Sequence, residues 1–169
     1  YLLFREECFM LSVHVICVGK LKERFYQDAC AEYIKRLGPY CKLNVAEVPE
    51  AKLPSSPTLG DIIAALDKEG DAIRKKLPES ATLVALCIEG DTRSSEDFAA
   101  DLLSWQLNSS KHLVFLIGGS NGLHPSLKRE AAVRLSMSPM TFPHHMARIM
   151  LLEQLYRAFK INEGSSYHK

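Results

Sequence analysis

The sequence lacks long apolar runs and any large excess of charge of one sign. No apolar stretch approaches the ~18 residues that a membrane-spanning helix requires. The first residues, YLLFREECFM, have no basic segment ahead of their apolar positions, and Arg5, Glu6 and Glu7 interrupt the run. Both absences predict a chain with neither a transmembrane helix nor a signal peptide.

Metal-binding and disulfide patterns are also missing. The five cysteines are widely spaced and odd in number, and none forms a Cys-x-x-Cys pair. None of the six histidines is followed by another at the four-residue spacing that places two ligands on one helix face. We therefore predict no metal site, and we expect the reducing cytoplasm as compartment.

The net charge of +1 predicts no strong attraction to nucleic acid, but the charge is unevenly distributed. Residues 44–112 carry 12 acidic and 7 basic side chains, whereas residues 124–169 carry 3 acidic and 7 basic. Residues 15–43 carry 3 acidic and 6 basic. A basic C-terminal surface would suit phosphates, although an ordinary solvated face explains the counts equally well.

Short apolar runs alternate with segments of helical periodicity along the chain. The predicted strands are 13–18, 43–48, 82–88 and 113–117, with a further short strand before Ser136. Thr58 is expected to begin one helix, which stops at Pro78, and Ser94 and Ser95 to begin the next. This alternation predicts an α/β fold with a mostly parallel sheet covered by helices on both faces.

We expect residues 10–169 to form one domain, and residues 1–9 to be an N-terminal extension or an artefact of the start position. In parallel sheets, ligands bind outside the carboxyl ends of the strands. This rule directs attention to the loops after Ile88 and Ile117 and to the segment near Met137.

The first of these loops contains Gly118, Gly119 and Gly122, with Pro125 suited to the first turn of a following helix. Glycines let the backbone approach a ligand closely, but a tight strand-to-helix turn needs them as well. The spacing is not the G-x-G-x-x-G dinucleotide fingerprint, so the sequence does not indicate a nicotinamide enzyme.

The second loop, residues 136–142, combines small hydroxyl side chains with Met137, Pro139 and Met140. It suits a flat apolar ligand such as adenine, or it is a connector that packs its methionines into the core. The helix beginning near Pro143 carries a wide apolar stripe that suits either a core or the seam of a symmetric dimer. The stripe comprises Ile149, Leu152, Leu155, Tyr156 and Phe159.

The last residues, SSYHK, would normally fray. They nevertheless bring together an aromatic ring, an imidazole and a cation, a set that suits contact with RNA.

Four segments resemble a known family, the bacterial SPOUT-class methyltransferases that modify pseudouridine in large-subunit ribosomal RNA. They are ICVGKLKERFYQDACAEYIKRLGPY, FLIGGSNGL, LSMSPMTFPHHMARIMLLEQLYRAFKI and the terminal YHK. The resemblance runs from about Met10 to Lys169. It implies a C-terminal trefoil knot that holds S-adenosylmethionine, which general rules of chain connection do not predict.

The resemblance also implies a homodimer that methylates N3 of a pseudouridine on the assembled ribosome, without metal. It nominates cofactor-binding residues, which are Leu86, Gly118, Met137, Ser138, Pro139, Met140, Thr141 and Phe142. It nominates Tyr167, His168 and Lys169 for the substrate, the tail reaching the partner subunit's site. His144 is a further substrate candidate because of its position beside the second loop.

Methyl transfer to N3 requires alignment of the reactants and removal of the imide proton. His168 is the candidate base, and Arg148 the candidate cation that stabilises the imidate. Two alternatives remain open, namely a ribosome-associated RNA-binding factor without catalysis and a SPOUT methyltransferase that acts on another RNA such as tRNA.

Overall fold

The computed structural model describes residues 10–108 and 111–169, so the expectation for residues 1–9 lies outside the described residues. Strands and helices alternate throughout the described part. In chain order they are β1 (Ser12–Val18), α1 (Arg24–Leu37), β2 (Lys42–Val48), α2 (Leu59–Arg74), β3 (Ala81–Thr92), α3 (Ser95–Asn108), β4 (His112–Ile117), α4 (Pro125–Glu130), β5 (Val133–Ser136) and α5 (His144–Asn162).

The five strands form one sheet in the order β2-β1-β4-β3-β5, and every pairing is parallel. All carboxyl ends therefore lie along one edge, where the loops after β3, β4 and β5 meet. The predicted α/β class is confirmed.

Helices cover both faces of the sheet, as predicted. On one face, α1, α3 and α5 enclose a hydrophobic cluster that includes Leu37, Leu102 and Leu155. On the other face, α2 and α4 pack Ile73 and Leu127 against the strands. No helix in the described residues combines the length and apolar character that crossing a bilayer requires.

The predicted helix starts are confirmed by their capping bonds. The Thr58 hydroxyl accepts from the Asp61 backbone N–H at 3.2 Å, and the Asp61 carboxylate accepts from the Thr58 N–H at 2.8 Å. The Ser94 hydroxyl accepts from the Asp97 N–H at 3.0 Å. Pro125 occupies the first turn of α4, where its missing N–H leaves no helical bond unmade.

Two predicted boundaries differ from the structure by more than one residue. Helix α2 ends at Arg74, short of Pro78. Strand β3 continues past Ile88 to Thr92, because after a register shift Asp91 and Thr92 pair with β5. The extension is a tertiary pairing that the local sequence does not encode.

The apolar stripe of α5 belongs mainly to the core of its own chain. Leu152 and Leu155 are fully buried and Phe159 is nearly so, whereas Ile149 and Tyr156 are partly exposed at the margin of the same cluster. Of the two interpretations of the stripe, the core is therefore right for its centre.

Shortening Leu152 to alanine should lower the free energy of unfolding by about 2–5 kcal/mol, because it leaves a cavity in a packed layer. Leu107→Ala is the matched control, since Leu107 is 73% exposed and its truncation should change stability by no more than about 0.5 kcal/mol. Urea denaturation of both variants checks this. Equal losses would contradict the placement of Leu152 in the core.

Candidate functional site

A cavity of about 730 Å³ opens at the carboxyl edge of the sheet, where β3, β4 and β5 end. Its volume falls within the range of small-molecule sites, roughly 300–1,000 Å³. The glycine-containing loop after β4 forms one wall and the loop between β5 and α5 forms another. Two segments that are separate in sequence thus enclose one space.

Most of the nominated cofactor residues line this cavity. They are Leu86, Gly118, Met137, Ser138, Met140, Thr141 and Phe142. Pro139 is not among the lining residues, although both of its neighbours are. His144, nominated for the substrate, also lines the cavity at the first turn of α5.

The loop after β4 folds so tightly that Gly118 cannot carry a side chain. A Cβ atom at Gly118 would lie 2.3 Å from the carbonyl carbon of Gly122, closer than non-bonded carbon atoms approach. The Gly122 N–H donates to the Gly119 carbonyl at 3.0 Å and closes the turn. Both sequence interpretations therefore hold, because the tight turn itself forms the wall of the cavity.

The loop before α5 is organised by Ser138. The Ser136 hydroxyl donates to the Ser138 carbonyl at 3.1 Å, and the Met140 N–H donates to the Ser138 hydroxyl at 3.0 Å. Met137 packs against the core, whereas Met140 is 72% exposed and leaves its apolar side chain available at the cavity. The interpretation as a core connector is thus right for Met137 and wrong for Met140.

Glu50 ties the end of β2 to the cavity wall. Its Oε1 accepts from both the N–H of Ser120, at 3.0 Å, and the Ser120 hydroxyl, at 2.8 Å. These hydrogen bonds, the backbone one foremost, hold the pKa of Glu50 below its usual range. A carboxylate that stays ionised keeps the Ser120 end of the loop fixed.

His144 places an unpartnered polar atom beside the cavity. Its Nε2 is buried and has no hydrogen-bond partner within the described residues. Burial lowers the pKa of His144, and the neighbouring His145 lowers it further, which favours the neutral ring. A buried nitrogen without a partner is costly, and a bound group or water that met it would offset that cost.

Arg148 does not reach the cavity. Its side chain is 3% exposed, and Nη1 donates to the Glu47 carboxylate at 2.7 Å while Nη2 donates to the Gly19 carbonyl at 3.1 Å. The guanidinium thus joins α5 to the carboxyl ends of β1 and β2. These contacts favour a positioning role over the catalytic role that the sequence suggested.

The tail does not fray, because Tyr167 folds back onto α5. Its hydroxyl donates to the Glu153 carboxylate at 3.2 Å, and its ring meets Tyr156 edge-on with centroids 5.0 Å apart. The Arg157 guanidinium lies 4.9 Å from the centre of the Tyr167 ring.

His168 bridges two helices. Its Nδ1 lies 3.2 Å from Arg157 Nη1 and its Nε2 lies 2.8 Å from Glu96 Oε1. A neutral ring with its proton on Nε2 satisfies both contacts, accepting from arginine and donating to glutamate. Neither Tyr167 nor His168, nor the exposed Lys169, lines the cavity formed by the described residues of the same chain.

Several residues that line the cavity were not predicted from the sequence individually. The loop after Ile88 was predicted as a whole. Cys87, Ile88 and Glu89 lie within the extended β3, and Lys128 comes from α4. Lys128 donates to Glu89 at 2.5 Å and forms an ion pair at the cavity wall. No local pattern marks this contact, since the partners are 39 residues apart.

Ion pairs engage four of the seven basic side chains of the C-terminal segment. Lys128, Arg148, Arg157 and Lys160 are paired with Glu89, Glu47, Glu153 and Glu163. Two of these partners, Glu153 and Glu163, were already counted against the excess along residues 124–169. Arg129, Arg134 and Lys169 are exposed, so pairing reduces the positive charge of this segment without removing it. Among the described residues no three His, Cys, Asp or Glu side chains lie in positions to hold a metal ion.

Comparison with known proteins agrees with the geometry. Residues 11–168 match the family model described as "Predicted SPOUT methyltransferase". The chain is also 49% identical over 161 residues to the Ribosomal RNA large subunit methyltransferase H of Bifidobacterium animalis subsp. lactis (strain AD011), covering 94% of this chain and 100% of that protein. The chain belongs to the SPOUT methyltransferase family.

Proposed function

We propose that the chain is an S-adenosylmethionine-dependent methyltransferase that modifies N3 of a pseudouridine in large-subunit ribosomal RNA, on the assembled ribosome and in the cytoplasm. The observation that carries the proposal is the convergence of two distant loops on one cavity of about 730 Å³. The relative named for methylation of large-subunit ribosomal RNA supports the substrate class.

The residues present fit a flat, partly apolar cofactor. Gly118 leaves the loop backbone open to close approach, and Leu86, Met137 and Met140 supply apolar contacts. When bound, S-adenosylmethionine supplies an electrophilic methyl group on a sulfonium. The segment from Met137 to Phe142 would hold the cofactor. We also propose that this segment lies in a trefoil knot and that residues 10–169 form a single domain.

The protein's main contribution is alignment of the acceptor nitrogen with the methyl group. Proximity and orientation alone can lower a barrier by roughly 7–11 kcal/mol. The hydrogen bond that the Ser120 N–H donates to Glu50 and the turn closed by Gly122 keep the cavity wall rigid. Alignment of the reactants requires such a rigid wall.

The proton on N3 needs an acceptor, and the tail supplies the candidate. His168 would act as base at the site of the partner subunit, with Tyr167 stacking on a base and Lys169 meeting a phosphate. Within its own chain His168 is engaged by Arg157 and Glu96, so release of these bonds has to accompany binding. For Arg148 we propose that its hydrogen bond to the Gly19 carbonyl holds the loop between β1 and α1 in position. This role replaces the stabilisation of the imidate that was expected from the sequence.

Two alternatives differ by simple observations. An RNA-binding factor without catalysis would have no use for the cavity and would not bind the cofactor. A family member acting on tRNA would bind the cofactor but transfer methyl groups to tRNA and not to ribosomes.

Isothermal calorimetry should show S-adenosylmethionine binding that is unchanged by a chelator. Gly118→Ala should weaken it by about tenfold or more, because the new Cβ has to displace the Gly122 backbone. Gly60→Ala is the control, since its Cβ would make only an ordinary 3.7 Å contact with the Thr58 hydroxyl. Absence of binding to the unmodified protein, or loss of binding with chelator, contradicts the proposal.

Truncation after Ser166 should leave cofactor affinity nearly intact, while single-turnover methyl transfer to ribosomes falls by roughly two orders of magnitude or more. His168→Ala should lose part of this rate, and its defect should shrink at higher pH, where the imide proton leaves more readily. Undiminished transfer by the truncated chain would remove the tail from the site. Loss of cofactor binding would make the tail a lid instead.

The homodimer is tested by light scattering at micromolar concentration. We expect twice the mass of one chain, and Tyr156→Glu, at the exposed margin of the α5 stripe, should release folded monomers. Circular dichroism distinguishes release from unfolding. A monomeric unmodified protein would refute the dimer.

A further inference from the structure

A row of four rings leads from the open surface to the cavity. Phe25 and Tyr26 lie 4.2 Å apart between ring centroids, Tyr26 and His145 5.8 Å, and His145 and His144 4.1 Å. Phe25 is 65% exposed at the outer end, and His144 lines the cavity at the inner end. We name these four residues the ring ladder.

Two positively charged side chains lie in the loop that precedes the ring ladder residues of α1. In the loop between β1 and α1, Lys20 and Lys22 are exposed on either side of Leu21, which packs against the core. Neither lysine has a carboxylate partner within residues 10–108 and 111–169, while Glu23 lies 3.9 Å from His145. The loop thus presents two unpaired ammonium groups next to exposed aromatic surface.

Three hydrogen bonds hold this loop in place, and the one from Arg148 is buried. Arg148 donates to the Gly19 carbonyl at 3.1 Å, the Gly19 N–H donates to the Val48 carbonyl at 2.8 Å, and Gln27 donates to the Leu21 carbonyl at 2.8 Å. Gly19 has φ +91°, a conformation that favours glycine. A platform fixed before binding loses little conformational entropy on binding.

We propose that the ring ladder and the two lysines bind unpaired RNA nucleotides next to the target base and direct that base into the cavity. The inference rests on the proposed function, whose substrate site it locates. Aromatic rings stack on any base, and ammonium groups meet the phosphates between them. Duplex RNA keeps its bases stacked inside, so a row of rings selects single strands.

A protein partner fits this surface less well. The central parts of protein interfaces are depleted of lysine, and covering Lys20 and Lys22 would leave two ammonium groups desolvated without carboxylates. The phosphates of an RNA strand would supply negative charges to both ammonium groups.

The test measures fluorescence anisotropy with a labelled RNA of about ten nucleotides that cannot pair with itself, within the site sizes known for single-strand binders. Phe25→Ala should weaken binding about tenfold, as loss of one stacked base predicts. Phe25→Trp should restore it. Leu107→Ala, at a similarly exposed position on α3, is the control and should bind as the unmodified protein does.

The double change Lys20→Gln and Lys22→Gln should reduce the slope of log affinity against log salt by about 1.4, from two phosphate contacts at roughly 0.7 each. Lys75→Gln with Lys76→Gln removes the same charge just beyond the end of α2 and should leave the slope unchanged.

Unchanged RNA affinity in Phe25→Ala, an equal loss in Leu107→Ala, or no binding of the single strand by the unmodified protein would overturn the ring ladder. So would a change of oligomeric state in Phe25→Ala, which would make the surface an interface between protein chains. Cofactor binding is measured separately by calorimetry. Absence of cofactor binding would contradict the proposed function. The RNA affinities of the variants test the ring ladder whether or not the cofactor binds.

Discussion

The buried guanidinium of Arg148 joins the parts of the molecule on which the site depends. It connects the first turns of α5 to Glu47 of β2 and to the Gly19 carbonyl at the end of β1. Removing one partner of a buried ion pair costs about 3–5 kcal/mol, and the partial exposure of Glu47 places this pair toward the lower end. The contact therefore fixes where α5 begins relative to the sheet.

That fixed start places the first turn of α5 between the cavity and the ring ladder. On one side, His144 completes the wall of the cavity that we propose for the cofactor. On the other side, His145 continues the ring ladder toward Tyr26. A cofactor and an RNA nucleotide have to meet within bonding distance for methyl transfer, and adjacent residues of one helical turn border both spaces. The geometry thus links the two halves of the proposed reaction.

The tail illustrates a different balance. Tyr167 packs half-buried against α5, while His168 meets the exposed Glu96 of α3, where solvent screening weakens the contact. Little free energy is therefore needed to detach the tail from the helices of its own chain. This is the property that a substrate-contacting tail requires if it is to leave its own helix and reach another subunit.

The sequence by itself determined the α/β class, the positions of the capping residues and the two loops that matter, because strand periodicity, capping and turn chemistry are local. Resemblance to a family named cofactor residues, most of which line the cavity. Tertiary structure alone decided that β3 runs to Thr92, that Arg148 is buried against Glu47, and that Phe25 and Tyr26 align with the histidines of α5. Each depends on partners far apart in the chain, which only folding brings into contact.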